Sequence, residues 1–251
     1  RTLLCELGGQ LGGTMTTGGV AFPGLFDAWG RQIIAGIGWE LVRKTVELDG
    51  GRLPDFSTVP ARHYENQVRI NPGLYAALAE EACLEACVHL CYYELPVLVE
   101  ASEAGWRVDT AGRQTRRAVT CRQIVDCTGG ADVVAMLGLP RERESTTQPG
   151  TFGYAIVGID ADRLHDALIQ RRYEQALAEG RLLPSDTYHS HIRFAHYLRG
   201  NAGGNHVLGA DDSTSGAATA TNIAGRRVML RLLRFVRSLP GCEDARAERV
   251  L

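Results

Sequence analysis

The sequence predicts an α/β fold arranged around a parallel sheet, and three observations point there. Thr2 to Cys5 is a short apolar run stopped by Glu6 and then by glycine. Residues 31–48 and 72–87 carry helical signals between that run and a second one, Val88 to Tyr93. Ile124-Val-Asp-Cys-Thr-Gly-Gly repeats the pattern of an apolar strand ending in glycines. Short apolar strands alternating with helices are the mark of a parallel sheet buried on both faces.

Each element has its own signal. Residues 7–30 hold many glycines and little periodicity, which predicts a long loop of the kind that carries function. Residues 31–48 have helical spacing, with Ile33, Ile37, Leu41 and Val42 on one side and Gly50-Gly51 as the stop. Asn71-Pro72 reads as an N-cap followed by proline in the first turn, starting a helix that runs to about residue 87. Segments near 96–101, 105–110 and 115–121 are separated by turn-prone sequences and predict a β-meander. Thr151 to Ile159 reads as a strand and 161–179 as an amphipathic helix. Residues 180–212 are mixed, and a long helix spans about 215–239 before Pro240-Gly241. On that helix Arg226, Arg227, Arg231, Arg234 and Arg237 fall within roughly 140° of arc, with Val228, Met229, Leu232, Phe235, Val236 and Leu239 on the other side.

The bulk composition excludes several classes. The 251 residues are 45% hydrophobic, enough for a substantial core. With 27 basic and 29 acidic residues the net charge is −2, so no overall field holds nucleic acid or an anionic membrane. No run approaches the about 18 apolar residues of a membrane span. Seven scattered cysteines fit reduced thiols and a cytoplasmic location better than a disulfide framework.

The opening stretch carries the chemistry. In a dinucleotide-binding βαβ unit, an acidic residue at the end of the second strand accepts hydrogen bonds from a ribose, and Glu6 sits at such a strand end. Gly12-Gly13 lets the backbone approach a diphosphate or a flavin edge that a Cβ would obstruct. Thr14, Thr16 and Thr17 add hydroxyl donors, and Gly18-Gly19-Val20 suits contact with a planar ring. Thr128-Gly129 offers a second bare corner. The plain alternative is a solvated glutamate followed by a flexible glycine loop. No G-x-G-x-x-G and no G-x-x-x-x-G-K-[ST] occurs anywhere in the chain.

These motifs in this order resemble the FAD-dependent oxidoreductases of the glutathione-reductase-like superfold, and within it the family related to the flavin subunit of heterodisulfide reductase. The resemblance rests on the run from Glu6 through Gly12-Gly13 to Gly18-Gly19. It rests also on Asp126-Cys-Thr-Gly-Gly-Ala-Asp-Val133, with Gly130 in place of a usual acid, on Asn71-Pro72, on Gln148-Pro-Gly-Thr151 and on Leu239-Pro-Gly241. It implies a partial Rossmann-like FAD-binding domain over 1–140, with a helical insertion at about 21–70, and a second α+β substrate or cap domain over 141–251. It implies an internal piece of a longer flavoprotein, lacking the N-terminal phosphate fingerprint and the C-terminal flavin segment and inactive alone. By position it implies Glu6 on the adenosine ribose; Gly12, Gly13 and Thr14 along the pyrophosphate and ribityl; and Thr17 and Gly18 near the isoalloxazine. Val97 would meet adenine through its backbone, and Thr128 and Gly129 would close the channel.

The expected chemistry is hydride or electron transfer between a small organic substrate and flavin. The stretch Tyr188–Arg199 is the place to look for substrate contacts, with His191, Arg193 and His196 as candidates and His206 beyond it. No metal is expected, and iron–sulfur clusters found in relatives use tighter cysteine runs than this one. Cys83, Cys87 and Cys91 read as a buried helical stripe, and Cys5, Cys121 and Cys127 as core. Asp211-Asp212 reads as capping, and the arginine face as a solvated helix side or a contact surface for the missing chain or another subunit. Two rival functions stay open: a non-catalytic packing subunit that does not retain FAD, and a nicotinamide-dependent enzyme.

Overall fold

A computed structural model describes residues 1–248 apart from 63, 143, 145, 146, 188–192 and 201. The chain divides into two units, Arg1–Arg141 and Glu142–Leu251.

In the first unit β1 (Thr2–Glu6) is followed by the two-residue strands β2 (Asp27–Ala28) and β3 (Arg31–Gln32), then by α1 (Ile37–Leu48), α2 (Pro72–Glu85) and β4 (Val88–Tyr92). β1 pairs in parallel with β4, from Thr2 opposite Val88 to Glu6 opposite Tyr92. A parallel pair needs a long crossover, and α1 and α2 supply it. Asn71 caps α2 as its sequence predicts: its Oδ1 accepts from the Gly73 and Leu74 N–H groups at 3.1 and 3.3 Å, with Pro72 in the first turn. Val42 and Val46 of α1 and Tyr75 and Ala79 of α2 pack with Leu11, Phe26, Val68 and Ile70 into one core. Trp39 extends it, its ring 4.8 Å from Phe26 and 5.5 Å from Phe56.

The meander forms as β5 (Glu94–Ser102), β6 (Gly105–Gly112) and β7 (Thr115–Cys121), all antiparallel. Glu94 is buried inside it and satisfied: it accepts from Thr110 Oγ1 at 3.0 Å and from Arg117 Nε at 3.2 Å. The short helix α3 (Asp132–Met136) closes the unit.

Several expectations for this unit are corrected. The helix of 31–48 begins only at Ile37. Trp29 and Gly30 both have positive φ, so the chain turns back as a hairpin that pairs Ala28 with Arg31, and Gly36 (φ 88°) precedes the helix. Ile33 and Ile37 are therefore exposed, and Val42, Thr45 and Val46 form the buried side. β1 is half-buried rather than covered on both faces, because β4 is its one ladder partner among the described residues. No strand forms over 123–127. That segment finds no ladder partner among the described residues, and Val125 is 84% exposed. The cysteine stripe dissolves: Cys83 lies on α2, Cys87 just past its end with φ 55°, and Cys91 on β4. Cys91 alone of the three is buried, and Cys127 is exposed, not core.

The second unit contains β8 (Gly150–Phe152), β9 (Ala155–Val157), α4 (Asp166–Ala178), α5 (Phe194–Arg199), β10 (Asn205–Val207), α6 (Ser215–Arg237) and β11 (Arg246–Glu248). β8 pairs with β10 and β9 with β11, both antiparallel. The strand expected over 151–159 is thus two strands in two ladders. The helix expected from 161 starts at Asp166, after a single 3₁₀ turn. Ile169, Tyr173 and Ala176 of α4, Phe194 and Leu198 of α5, and Leu232, Phe235 and Val236 of α6 form the core, with Tyr173 stacked on Phe194 at 4.5 Å. Thr214 Oγ1 caps α6 by accepting from the Ala217 N–H at 3.1 Å, while Asp211 accepts from the Ser213 N–H in the preceding turn. One arginine departs from the solvated face: Arg231 holds the fully buried Asp186 through two guanidinium bonds, the Nε one at 2.8 Å.

Candidate cofactor-binding site

Of the sequence-predicted groups of the first unit, Glu6 ends a strand, Val97 lies within β5, and Gly12–Gly18 and Thr128–Gly129 lie outside the strands. Glu6 closes β1, and its Oε1 accepts from the Gly8 N–H at 2.6 Å. Among the described residues the second oxygen has no protein donor, so one oxygen shapes the turn and the other stays available to a hydroxyl. A Cβ at Gly8 would lie 3.1 Å from Glu6 Oε1 and 3.9 Å from Thr17 Oγ1, so Glu6 and Thr17 flank the same bare backbone. Opposite Glu6 in the ladder, burial pushes the Tyr92 phenol up to about 12, helped by the Glu80 carboxylate it donates to at 2.6 Å. Tyr92 therefore remains a neutral donor.

Tyr93 is a residue that sequence reasoning missed. Its N–H donates to the Gly8 carbonyl at 3.2 Å, and its hydroxyl occupies the space a Cβ at Gly9 would need. The Arg113 guanidinium stands 4.8 Å from its ring centroid. Its signal was its place directly after a strand whose end opposes Glu6.

The predicted glycines serve two different ends. Gly12 has φ 109°, and a Cβ there would strike Thr16, whose buried hydroxyl donates to the Leu11 carbonyl at 2.7 Å. Gly18 lies against the Thr14 backbone, where a Cβ would come to 2.9 Å. The Gly13 carbonyl accepts from Thr16 and Gly18, and the Thr14 carbonyl from Val20. Gly12 and Gly18 are thus required by the coil's own packing, and Thr16, not Thr14 or Thr17, is its buried tie. Gly13 differs: it is exposed, with nothing within 4 Å of its Cβ position. Thr14 and Thr17 are exposed as well, and Thr17 Oγ1 accepts from Gln10 Nε2 at 3.3 Å.

The second corner is organised by Asp126. Its Oδ1 accepts from the Thr128 N–H at 3.0 Å and the Thr128 hydroxyl at 2.7 Å, and its Oδ2 from the Val134 N–H at 3.1 Å. Partial burial pushes this carboxyl up, but the bonds from Thr128, Val134 and Val133 outweigh it and hold it below the ordinary aspartate value. The Thr128 hydroxyl also accepts from the Asp132 N–H at 2.7 Å. Both of its directions are spent inside the turn, so Thr128 shapes the corner. Gly129 (φ 37°) leaves open space where a Cβ would stand.

Val97 is the residue at which the β5–β6 register shifts, between Pro96 and Leu98. It is 53% exposed and outside the paired register. β5 packs against both β1 and α3, and is the neighbour that the Glu6 strand and the Gly129 corner share.

The substrate candidates fare less evenly. His191 lies outside the described residues. Arg193 precedes α5 and His196 lies within it, both exposed. Arg199, three residues on from His196, is engaged with Asp166 at 2.7 Å and with the Leu164 carbonyl, so it offers no free fork. His206 is half-buried on β10, opposite Thr151. Among the described residues no three His, Cys, Asp or Glu side chains group as a metal set. No helix there is long and apolar enough to cross a membrane.

No curated protein and no solved structure matches the chain. The sequence profile of the FAD dependent oxidoreductase family does, over residues 1–250, and with nearly the whole length covered the chain belongs to that family.

Proposed function

We propose that the first unit binds FAD between the Glu6–Gly18 coil and the Thr128–Gly130 corner, as part of a Rossmann-like nucleotide domain. The protein then moves a hydride or electrons between flavin and a small organic substrate held by a substrate or cap domain. The observation that carries this is the pairing of two exposed glycines, Gly13 and Gly129, whose Cβ positions are open, with a strand-end glutamate that keeps one oxygen unengaged. An elongated dinucleotide needs such a set: backbone that approaches its diphosphate, and a carboxylate for its ribose.

The residues fit the group. Glu6 Oε2 would take an adenosine ribose hydroxyl. The Gly13 backbone and the Thr14 hydroxyl would line the pyrophosphate and ribityl, and Thr17 the isoalloxazine side. Val97 would meet adenine through its unladdered backbone, and Gly129 would close the channel while Asp126 holds it in shape. When bound, FAD would supply the redox centre for hydride or electron transfer. His196, Arg193 and His206 are the described groups that suit proton transfer or a substrate carboxylate. Kinship with the flavin subunit of heterodisulfide reductase belongs to this proposal, carried by the glycine-rich run after Glu6 and by the Asp126–Val133 motif.

Flavin fluorescence titration of the purified protein tests it. Glu6→Ala is expected to weaken FAD by about 1.5–3 kcal/mol, the worth of one hydrogen bond to a charged acceptor or more. Glu6→Gln, which keeps an oxygen for the Gly8 N–H, should lose less. A protein that takes up no flavin, or a Glu6→Ala variant that binds it unchanged, would overturn the assignment. The first result would favour a packing subunit.

A further inference from the structure

α6 is 23 residues long and contains five arginines and no aspartate or glutamate. Arg227, Arg231 and Arg234 recur at helical spacing along one stripe. With Arg181, Phe235 and Ser238 they line a shallow, solvent-open cleft of about 520 Å³.

The cleft carries a surplus of positive charge. Arg231 is held by Asp186, and Arg181 by Glu179 at 2.6 Å. Arg227 and Arg234 have no hydrogen-bond or ion-pair partner among the described residues. Arg172 adds a further guanidinium at the edge, donating to the Ser238 carbonyl at 3.0 Å. Like charges three and four residues apart destabilise a helix, and here no acid on α6 offsets them. The Asp186 pair fixes Arg231 in the middle of the stripe, so the two free forks stand on either side of an immobile one.

We propose that this cleft is a binding site for a compact oxyanion carrying two or more negative charges, a phosphate or polycarboxylate group. Guanidinium forks match both chemistries bidentately, and Arg227 and Arg234 supply two such forks with their donors unspent. Phe235 and Ser238 complete the lining, the Ser238 hydroxyl being spent on the Phe235 carbonyl at 2.6 Å, so the arginines carry the recognition. The balanced charge of the whole chain argues against nucleic acid, which needs a broad basic field.

Calorimetric titration of the full chain with inorganic pyrophosphate, and in parallel with citrate, at low salt tests it. Saturable one-to-one binding is expected, with the dissociation constant raised about tenfold or more in Arg227→Gln/Arg234→Gln. Arg227→Lys/Arg234→Lys, which keeps charge without the fork, should fall between, and it substitutes for the Gln pair if that variant fails to fold. The tighter anion identifies which oxyanion the site was built for. Binding of neither anion, or binding unchanged in the substituted proteins, overturns the proposal.

Discussion

At Asp126 one carboxylate collects donors from Thr128 and Val134 and so sets the backbone of the Gly129 corner. Its removal should be felt locally: Asp126→Ala is expected to cost about 2 kcal/mol of stability, since bonds to a charged acceptor are the strong ones. The pH dependence has a definite sign. Because the folded carboxyl titrates below its unfolded value of 3.8, its contribution is present above that value and is lost as pH falls through the folded one. Urea unfolding between pH 6 and about pH 2.5 should show an acid loss that shrinks in Asp126→Asn; an equal loss in both would show that Asp126 is not its source. The motif Asp126-Cys-Thr-Gly was legible in the sequence, but the division of labour within it was not. Hydroxyls and glycines look alike in a string whether they serve a ligand or the turn itself. Only packing separated Gly13 from Gly12, and Thr16 from Thr14 and Thr17.

Among the elements, α6 and its anchor to Asp186 make the sharpest case. Asp186 is fully buried and accepts from Arg231 and from the Leu183 N–H at 2.9 Å. Arg231→Met is expected to cost about 3–5 kcal/mol by stranding a buried charge, and Asp186→Leu combined with it should recover much of that loss. Chemical denaturation of the single and double variants checks it; additive losses would mean that the two residues act separately. Elements written in local terms were readable in advance. Asn71-Pro72 declared a helix start, and the turns of the meander were announced by their residues. What failed was non-local. Nothing in residues 31–36 says that a hairpin ahead of α1 would turn Ile33 and Ile37 outward. Nothing in 123–127 shows that an apolar run would lie without a ladder partner among the described residues.

Over the whole molecule, the two units keep separate cores, and each contains one buried thiol: Cys91 in the first, Cys242 in the second. Burial pushes Cys242 up to about 11 and also raises Cys5, so neither is a ready thiolate. A thiol-reactive probe at pH 8 should label the exposed Cys87 and Cys127 first and the half-buried Cys5, Cys83 and Cys121 more slowly. Cys91 and Cys242 should react only on unfolding. Mass spectrometry of pulse-labelled protein along a denaturant series then reports each unit by its own cysteine, and early labelling of Cys91 or Cys242 in native protein would contradict the burial described.

The coil from Gly12 to Val20 is closed by its own bonds: Thr16 to Leu11, Gly18 to Gly13 and Val20 to Thr14. Segments that must be frozen when a guest arrives subtract that lost freedom from affinity. Here the bonds are made within the coil itself, so at the proposed site a nucleotide would meet a finished edge rather than a strap that has to search for its shape. Speed of capture there would then depend on collision and orientation, with no slow rearrangement of these nine residues to wait for.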